Sequence, residues 1–195
     1  FDDLDSRLPF TTTISGDLGF DSNVGNRPDG LEEESGYIRG GVGAAYAGGS
    51  RRTHIDLNAR LSTLYYFDQP ESQADDNFQT ARFGLTVHHR VNPRVTIGNS
   101  AYFSYEIEPD DAIGASASRR LDQYSYGYNN LWISRSWSRR LSTVARFTVT
   151  GIDYENEIES VGEDRFTQTF SKEVRYVLDR LTSLVGEYRR ANTDY

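Results

Sequence analysis

Charged side chains recur at every second position along several segments of the chain. Because successive residues of a strand point to opposite faces of its sheet, charges spaced by two residues would share one face. Inside a wide barrel, fixed charges of both signs would filter solutes by charge. Inside a narrow barrel they would pair and fill the interior. The candidate pore-lining residues are Asp17, Arg39, Asp56, Arg60, Arg82, Glu106, Arg146, Glu173, Arg175, Glu187 and Arg189.

Catalytic chemistry has little support in the sequence. A Ser–His–acid set could be drawn from Ser62, His88 and Asp56, but nothing in the local sequence would hold such a nucleophile in place. The chain has no cysteine, which excludes thiol catalysis, disulfides and thiolate metal sites. We therefore predict that the protein is not an enzyme and uses no cofactor, with the histidines as polar lining and interfacial residues.

Two acidic segments offer the oxygen ligands that divalent cations prefer. They are Asp21–Asn23 and Glu108–Asp111. Neither has the spacing of a calcium-binding EF-hand loop, and neither a metal-ligand spacing nor a phosphate-binding glycine loop occurs elsewhere. Solvated surface charge explains both segments better, so we predict no metal site.

The composition limits the classes of protein to which the chain can belong. Its 195 residues suffice for one large domain, and a net charge of −8 argues against nucleic acid as a partner. Mean hydropathy is −0.65, and no apolar run approaches the roughly 18 residues of a membrane helix. Tyr and Phe are abundant, with 13 and 10 copies, and both residues favour strands.

Hydrophobicity alternates with a period of two along almost the whole chain. In the segment from Ile55 to Phe67, for example, apolar residues occupy the odd positions and mostly polar residues the even ones. This pattern predicts strands with one apolar and one polar face. Most of them exceed the five or six residues of a usual soluble strand and suit a tilted bilayer crossing. The nine predicted strands are 9–21, 35–48, 53–67, 77–90, 94–107, 121–137, 141–154, 165–178 and 181–194.

The connections between these strands alternate between long acidic and short basic segments. The long ones are Ser22–Glu34, Asp68–Asp76, Glu108–Arg120 and Glu155–Asp164. The short ones are Gly49–Arg52, Val91–Pro93, Ser138–Arg140 and Asp179–Arg180. Outer-membrane barrels have long external loops and short periplasmic turns, so the alternation favours a transmembrane barrel.

Aromatic residues collect near the strand ends, as in the aromatic girdles of membrane barrels. A β-sandwich, the soluble alternative, would use aromatics to fill its core and would not need them at strand ends. The consecutive apolar residues Leu131, Trp132 and Ile133 suggest a β-bulge in the sixth strand. Near the long loops, we expect these aromatics on the apolar face: Phe20, Tyr65, Phe67, Phe103, Tyr105, Tyr124, Tyr126 and Phe166. Near the short turns, we expect Tyr46, Trp137 and Tyr176.

Two short segments carry a family resemblance. Asp17-Leu-Gly-Phe-Asp-Ser-Asn-Val24 and Gly186-Glu-Tyr-Arg-Arg190, with tyrosine-rich hairpins between them, resemble the β-barrel porin 2 family. These outer-membrane barrels are often linked with exopolysaccharide export. The resemblance implies a porin-like channel in the bacterial outer membrane, for passive passage or export of polar solutes, with polysaccharide as a candidate solute. It also implies the lipid bilayer as a partner, with lipopolysaccharide or polysaccharide as further partners.

The sequence thus predicts an all-β fold: one antiparallel transmembrane β-barrel domain over residues 1–195. About nine strands are visible, and bacterial barrels have even numbers of strands. We therefore expect the barrel to continue beyond Tyr195. Two alternatives stay open: a non-channel barrel that serves as a structural anchor or surface adhesin, and a soluble barrel that binds an apolar ligand.

Overall fold

The computed structural model describes residues 9–24, 33–68, 77–107, 123–155 and 164–195. All of its regular structure is β. The strands are β1 (Phe10–Asp21), β2 (Ser35–Gly49), β3 (Thr53–Tyr66), β4 (Asn77–Asn92), β5 (Val95–Ile107), β6 (Gln123–Ser136), β7 (Leu141–Tyr154), β8 (Arg165–Val177) and β9 (Ser183–Asp194). Each end agrees with the prediction to within two residues. Most of the four long connections, including Glu108–Asp111, lies outside the described residues.

The nine strands form one sheet in chain order, from β1 at one edge to β9 at the other. Every neighbouring pair is antiparallel. The sheet is therefore an up-and-down meander, the simplest outcome when consecutive strands are joined by hairpins. Its two edges are not paired with each other, so the structure shows the antiparallel sheet but not a closed barrel.

The bulge predicted in β6 is wrong. Pairing of β6 with β5 and β7 runs without a register shift, and Leu131 and Ile133 share one face while Trp132 lies on the other. The Trp132 ring fits there because it lies over Gly98, where a Cβ atom would meet the ring. The register shift that does occur lies in β4, between Arg90 and Asn92.

Four tight turns join the strands at one end of the sheet, and all use the same backbone device. The side-chain oxygen of the first turn residue accepts hydrogen bonds from the backbone N–H groups two and three positions later. Short polar side chains favour this arrangement in turns. The four acceptors are Ser50, Asn92, Ser138 and Asp179, at distances of 2.8–3.2 Å.

The two faces of the sheet differ in composition and burial. The polar face carries the odd positions of β1, β2, β8 and β9 and the even positions of β3 to β7, and the apolar face carries the others. Many large side chains on the apolar face are exposed, Ile14 by 86% and Leu18 by 75%, and none of those described is buried. The buried strand side chains all lie on the polar face: Ser35, Leu64, Tyr66, Phe78, Ser104 and Ser171.

Candidate functional site

The register places all eleven predicted pore-lining residues on the polar face. Asp17 lies opposite Arg39, Arg60 opposite Arg82, and Glu173 opposite Glu187. Asp56 and Glu106 fall on the same face as Arg60 and Arg82. Arg146 and Arg189 both lie opposite Ser171, and Arg175 follows Glu173 by two positions. The alternation read from the sequence therefore identifies one continuous charged surface that crosses the whole sheet.

Arg82 and Glu106 form the best-defined ion pair on this surface. Arg82 donates from Nε and Nη2 to the two carboxylate oxygens of Glu106, at 2.5 and 2.7 Å. The residue directly opposite Arg82 is Ser104, and its small side chain leaves the guanidinium free to reach diagonally along β5. Glu106 also accepts from the Tyr102 hydroxyl at 3.4 Å. A two-pronged arginine–carboxylate contact fixes the orientation of both groups.

A second charged group lies on β7 and β8. Glu173 is 3.5 Å from Nη1 of Arg146 and 3.1 Å from Nη2 of Arg175. One carboxylate thus faces two guanidinium groups, and Glu187 lies directly opposite it on β9. On the same face but nearer β1, Arg60 donates to the Ser15 hydroxyl at 3.3 Å. The polar face thus has charge pairs at some positions and open cations at others.

The set Ser62, His88 and Asp56 is not brought together as a catalytic arrangement. Asp56 contacts His54 at 2.8 Å. Ser62 is hydrogen-bonded to the Thr80 hydroxyl at 2.6 Å. His88 makes an edge contact with the Trp132 ring, 5.5 Å between centroids. Each of the three side chains thus has a neighbour outside the set, and the geometry gives none of them a nucleophile–base relationship.

Two of the predicted girdle aromatics lie on the opposite face. Tyr124 lies opposite Glu106, and Tyr126 opposite Ser104, so both belong to the polar face. Their rings contact other polar-face tyrosines: Tyr126 is 6.1 Å from Tyr102, and Tyr124 is 5.7 Å from Tyr154. The sequence did not predict the face of these two tyrosines. The residues that alternate with them in this half of β6 are Ser125 and Gly127, which do not indicate an apolar face. Leu131 and Ile133 carried the correct signal once no bulge was assumed.

An apolar cluster on the polar face was also missed. Val24, which precedes β2, packs against Leu64, Tyr66 and Phe78, with Tyr37 alongside. The Val24 N–H donates to the Glu33 carbonyl at 2.8 Å, which ties Val24 to the residues just before β2. Alternation alone could not reveal the cluster, because its members occupy polar-parity positions that become apolar only near the ends of β3 and β4.

The candidate cation segment Asp21–Asn23 has a structural explanation. The Asp21 carboxylate accepts a hydrogen bond from the Asn23 backbone N–H at 3.0 Å, as aspartates in turns commonly do. Among the described residues, no group of three or more His, Cys, Asp or Glu side chains is placed to hold a metal ion. The same residues include no helix with the length and apolarity to cross a membrane.

Comparison with known proteins gives no relative: the chain matches no family model, no curated protein and no solved structure. The resemblance to the β-barrel porin 2 family therefore stays a prediction.

Proposed function

We propose that this sheet is part of an antiparallel transmembrane β-barrel of the bacterial outer membrane, with its polar face lining a channel for polar solutes. The observation that carries the proposal is a distribution of buried and exposed side chains that is the reverse of that in soluble proteins. Large apolar side chains on one face are open, whereas the buried strand residues lie on the charged face. Soluble proteins do the opposite and rarely leave a large contiguous apolar surface in water.

The size of the exposed apolar face makes a covering phase necessary. Burying one Val, Leu, Ile or Phe side chain contributes roughly 1.5–3 kcal/mol, and a whole domain is stable by only about 5–15 kcal/mol. Leaving this face in water would forgo tens of kcal/mol, and lipid chains would cover it. Its large exposed members are Phe10, Ile14, Leu18, Phe20, Ile38, Val42, Leu61, Tyr65, Phe83, Ile97, Phe103, Leu131, Ile133, Phe147, Phe166, Phe170, Val174, Tyr176, Leu184 and Tyr188.

Strand length supports the same placement. The strands contain 12 to 16 residues, and a tilted strand needs about 9–11 residues to cross a bilayer. The surplus residues would extend into the interfacial regions. No helix or second sheet among the described residues lies against the apolar face, as a soluble sandwich would require.

A bilayer also demands that the sheet close, because unpaired edge amides are costly in hydrocarbon. The strands β1 and β9 run in the same direction, since neighbours alternate in direction across the nine strands. Antiparallel closure therefore needs an odd number of further strands between these two edges. Such strands would widen the lumen, which favours a solvated channel over a packed interior.

One observation favours the anchor as a second candidate. The cluster of Val24 with Leu64, Tyr66 and Phe78 covers part of the polar face near one end of the sheet, and apolar side chains packed there can narrow a barrel. A plugged barrel would hold its loops at the cell surface without passing solutes.

Single-channel recording on the full-length protein in planar bilayers distinguishes these functions. The channel proposal expects discrete conductance steps whose reversal potential in a salt gradient changes when polar-face charges are substituted. A protein that inserts into the bilayer without conducting would overturn the channel and favour the anchor. A protein that stays monomeric and folded in buffer without detergent would overturn the membrane proposal itself.

A further inference from the structure

The four tight turns form a basic rim along one end of the sheet. We define this rim as Arg51, Arg52, Arg94, Arg139, Arg140 and Arg180, all of which are exposed. The four turns share one hydrogen-bond pattern, and each contains arginine, so arginines lie at the same end of the strands in all four turns. We propose that the basic rim binds the anionic phosphate headgroups of lipids in the adjacent leaflet. This inference rests on the proposed membrane location.

The rim has little negative charge of its own. Asp179 is the one acidic residue in the four turns. Its carboxylate accepts backbone N–H bonds from Leu181 and Thr182 at 2.8 and 2.9 Å. That carboxylate is therefore engaged in building its own turn. With no carboxylate of the turns free to pair with them, the rim arginines are available to an external anion.

Backbone hydrogen bonds fix the main chain of several rim arginines at this end of the sheet. The carbonyl groups of Arg52, Arg94 and Arg140 accept hydrogen bonds from Arg90, Ser136 and Val177 of a neighbouring strand, at 2.7–2.8 Å. Three of the four turns are thus hydrogen-bonded through their main chain to a neighbouring strand. The guanidinium groups remain on the surface, where their planar sets of donors match a phosphate group better than lysine would.

Aromatic side chains next to the rim place it at the depth of lipid headgroups. Trp137 directly follows β6, and its side chain lies on the apolar face, where its Nε1 donates to the Thr143 hydroxyl at 3.0 Å. The Arg135 guanidinium lies 3.7 Å above the Trp137 ring. Tyr46 and Tyr176 lie at the same end of the apolar face. Tyr and Trp concentrate where hydrocarbon meets headgroups, so the arginines just beyond them would lie level with lipid phosphates.

The location of Trp137 provides a reporter for this inference. The chain has two tryptophans, and Trp132 lies on the polar face. The full chain carrying Trp132→Phe would be reconstituted into vesicles of phosphatidylcholine and phosphatidylglycerol, with either lipid brominated in turn. Bromine quenches indole fluorescence at short range, so the two series report which headgroup occupies the lipid positions beside Trp137.

We expect phosphatidylglycerol to be preferred over phosphatidylcholine by about fivefold, as attraction of clustered arginines to an anionic surface would give. The preference should fall toward onefold when Arg94, Arg139 and Arg140 are together replaced by Gln. It should also weaken as salt is raised, because the charges are exposed. The matched control replaces Arg39, Arg60 and Arg189 of the polar face by Gln and should keep the preference.

The outcomes separate this inference from the proposed function. Equal quenching by the two lipids, or a preference that survives loss of the rim arginines, overturns the rim inference and leaves the membrane location intact. Absence of quenching by either brominated lipid overturns the membrane location itself. A Trp137→Phe chain, which retains Trp132, should be quenched weakly by both lipids, and strong quenching there would contradict the assigned faces.

Discussion

Arg82 shows how the position of a residue in the register determines what its charge can do. Its direct cross-strand neighbour is Ser104, and its partner Glu106 is diagonal on β5. The Arg82 side chain is 58% exposed and that of Glu106 17%. The pair therefore contributes little to stability, about 0–1 kcal/mol. Its larger effect is to fix a carboxylate and a guanidinium at one place on the polar face.

Replacing Glu106 by Gln should shift ion selectivity toward anions. The substitution leaves Arg82 without its carboxylate, so in the proposed channel the local potential at the polar face would become more positive. We expect the reversal potential in a KCl gradient to move by several millivolts, with little loss of stability. Glu187→Gln is the control for net charge, because Glu187 lies opposite Glu173 near the sheet edge. A shift as large in this control would show that total charge, and not the Arg82 pair, sets selectivity.

Gly98 contributes to the structure because it has no side chain. The Trp132 ring lies over it, within the space a Cβ would need. We expect Gly98→Ala to destabilise the protein by about 1–3 kcal/mol, because the ring must leave its rotamer or the strands must separate. Urea unfolding followed by tryptophan fluorescence measures this effect. Gly127→Ala is the matched control, since nothing lies within 4 Å of the position that a Cβ would take there, and equal loss in that variant would contradict the explanation.

At the level of the elements, the sequence predicted most of the sheet because strand formation depends on local alternation. The nine strands and the positions of the four turns follow from the period of two and from the short segments that interrupt it. The face of Tyr124 and Tyr126 did not follow, because the neighbouring Ser125 and Gly127 carry no apolar signal. The cluster around Val24 depends on a residue outside the strands packing against the polar face, and local periodicity contains no such information.

The turn at Asp179 predicts a pH dependence of stability. Backbone hydrogen bonds, first from Leu181 and then from Thr182, lower the pKa of the Asp179 carboxyl below its ordinary value of 3.8. A carboxyl with a lowered pKa in the folded state contributes stability above its unfolded pKa and loses it as the pH falls through the folded value. Asp179→Asn should keep the turn geometry, because Asn92 makes the same bonds.

The wild-type protein should therefore unfold at higher urea concentration than Asp179→Asn at neutral pH. The difference should close as the pH falls below 3.8, where the carboxyl takes up its proton. Urea midpoints of the two proteins at a series of pH values measure the difference at neutral pH and its decrease in acid. A difference that stays constant through the acidic range would mean that the carboxylate charge contributes nothing to the turn.

At the level of the whole molecule, the two faces could be predicted and closure could not. Each residue of a strand selects a face through its own polarity, so alternation identifies the charged surface from Asp17 on β1 to Arg189 on β9. Closure depends on what pairs with β1 and β9, and no local pattern in either strand specifies that partner. The same limit applies to the choice between channel and anchor, because lumen width follows from the total number of strands.

The assignment of faces leads to a direct test of the membrane location. The chain contains no cysteine, so a single introduced cysteine gives a unique site for a nitroxide label. Labels at Leu57 and Phe83 would lie on the apolar face, and labels at their neighbours Asp56 and Arg82 on the polar face. In a reconstituted barrel, the first pair should collide more often with oxygen, which concentrates in lipid, and the second pair with a polar nickel chelate. The neighbours differ by one residue in position, so strand depth is nearly the same within each pair and face is the main variable. Two outcomes would contradict the membrane barrel. Equal accessibility of the two faces to both relaxation agents would mean that neither face contacts lipid. A reversed pattern would mean that the charged face points outward.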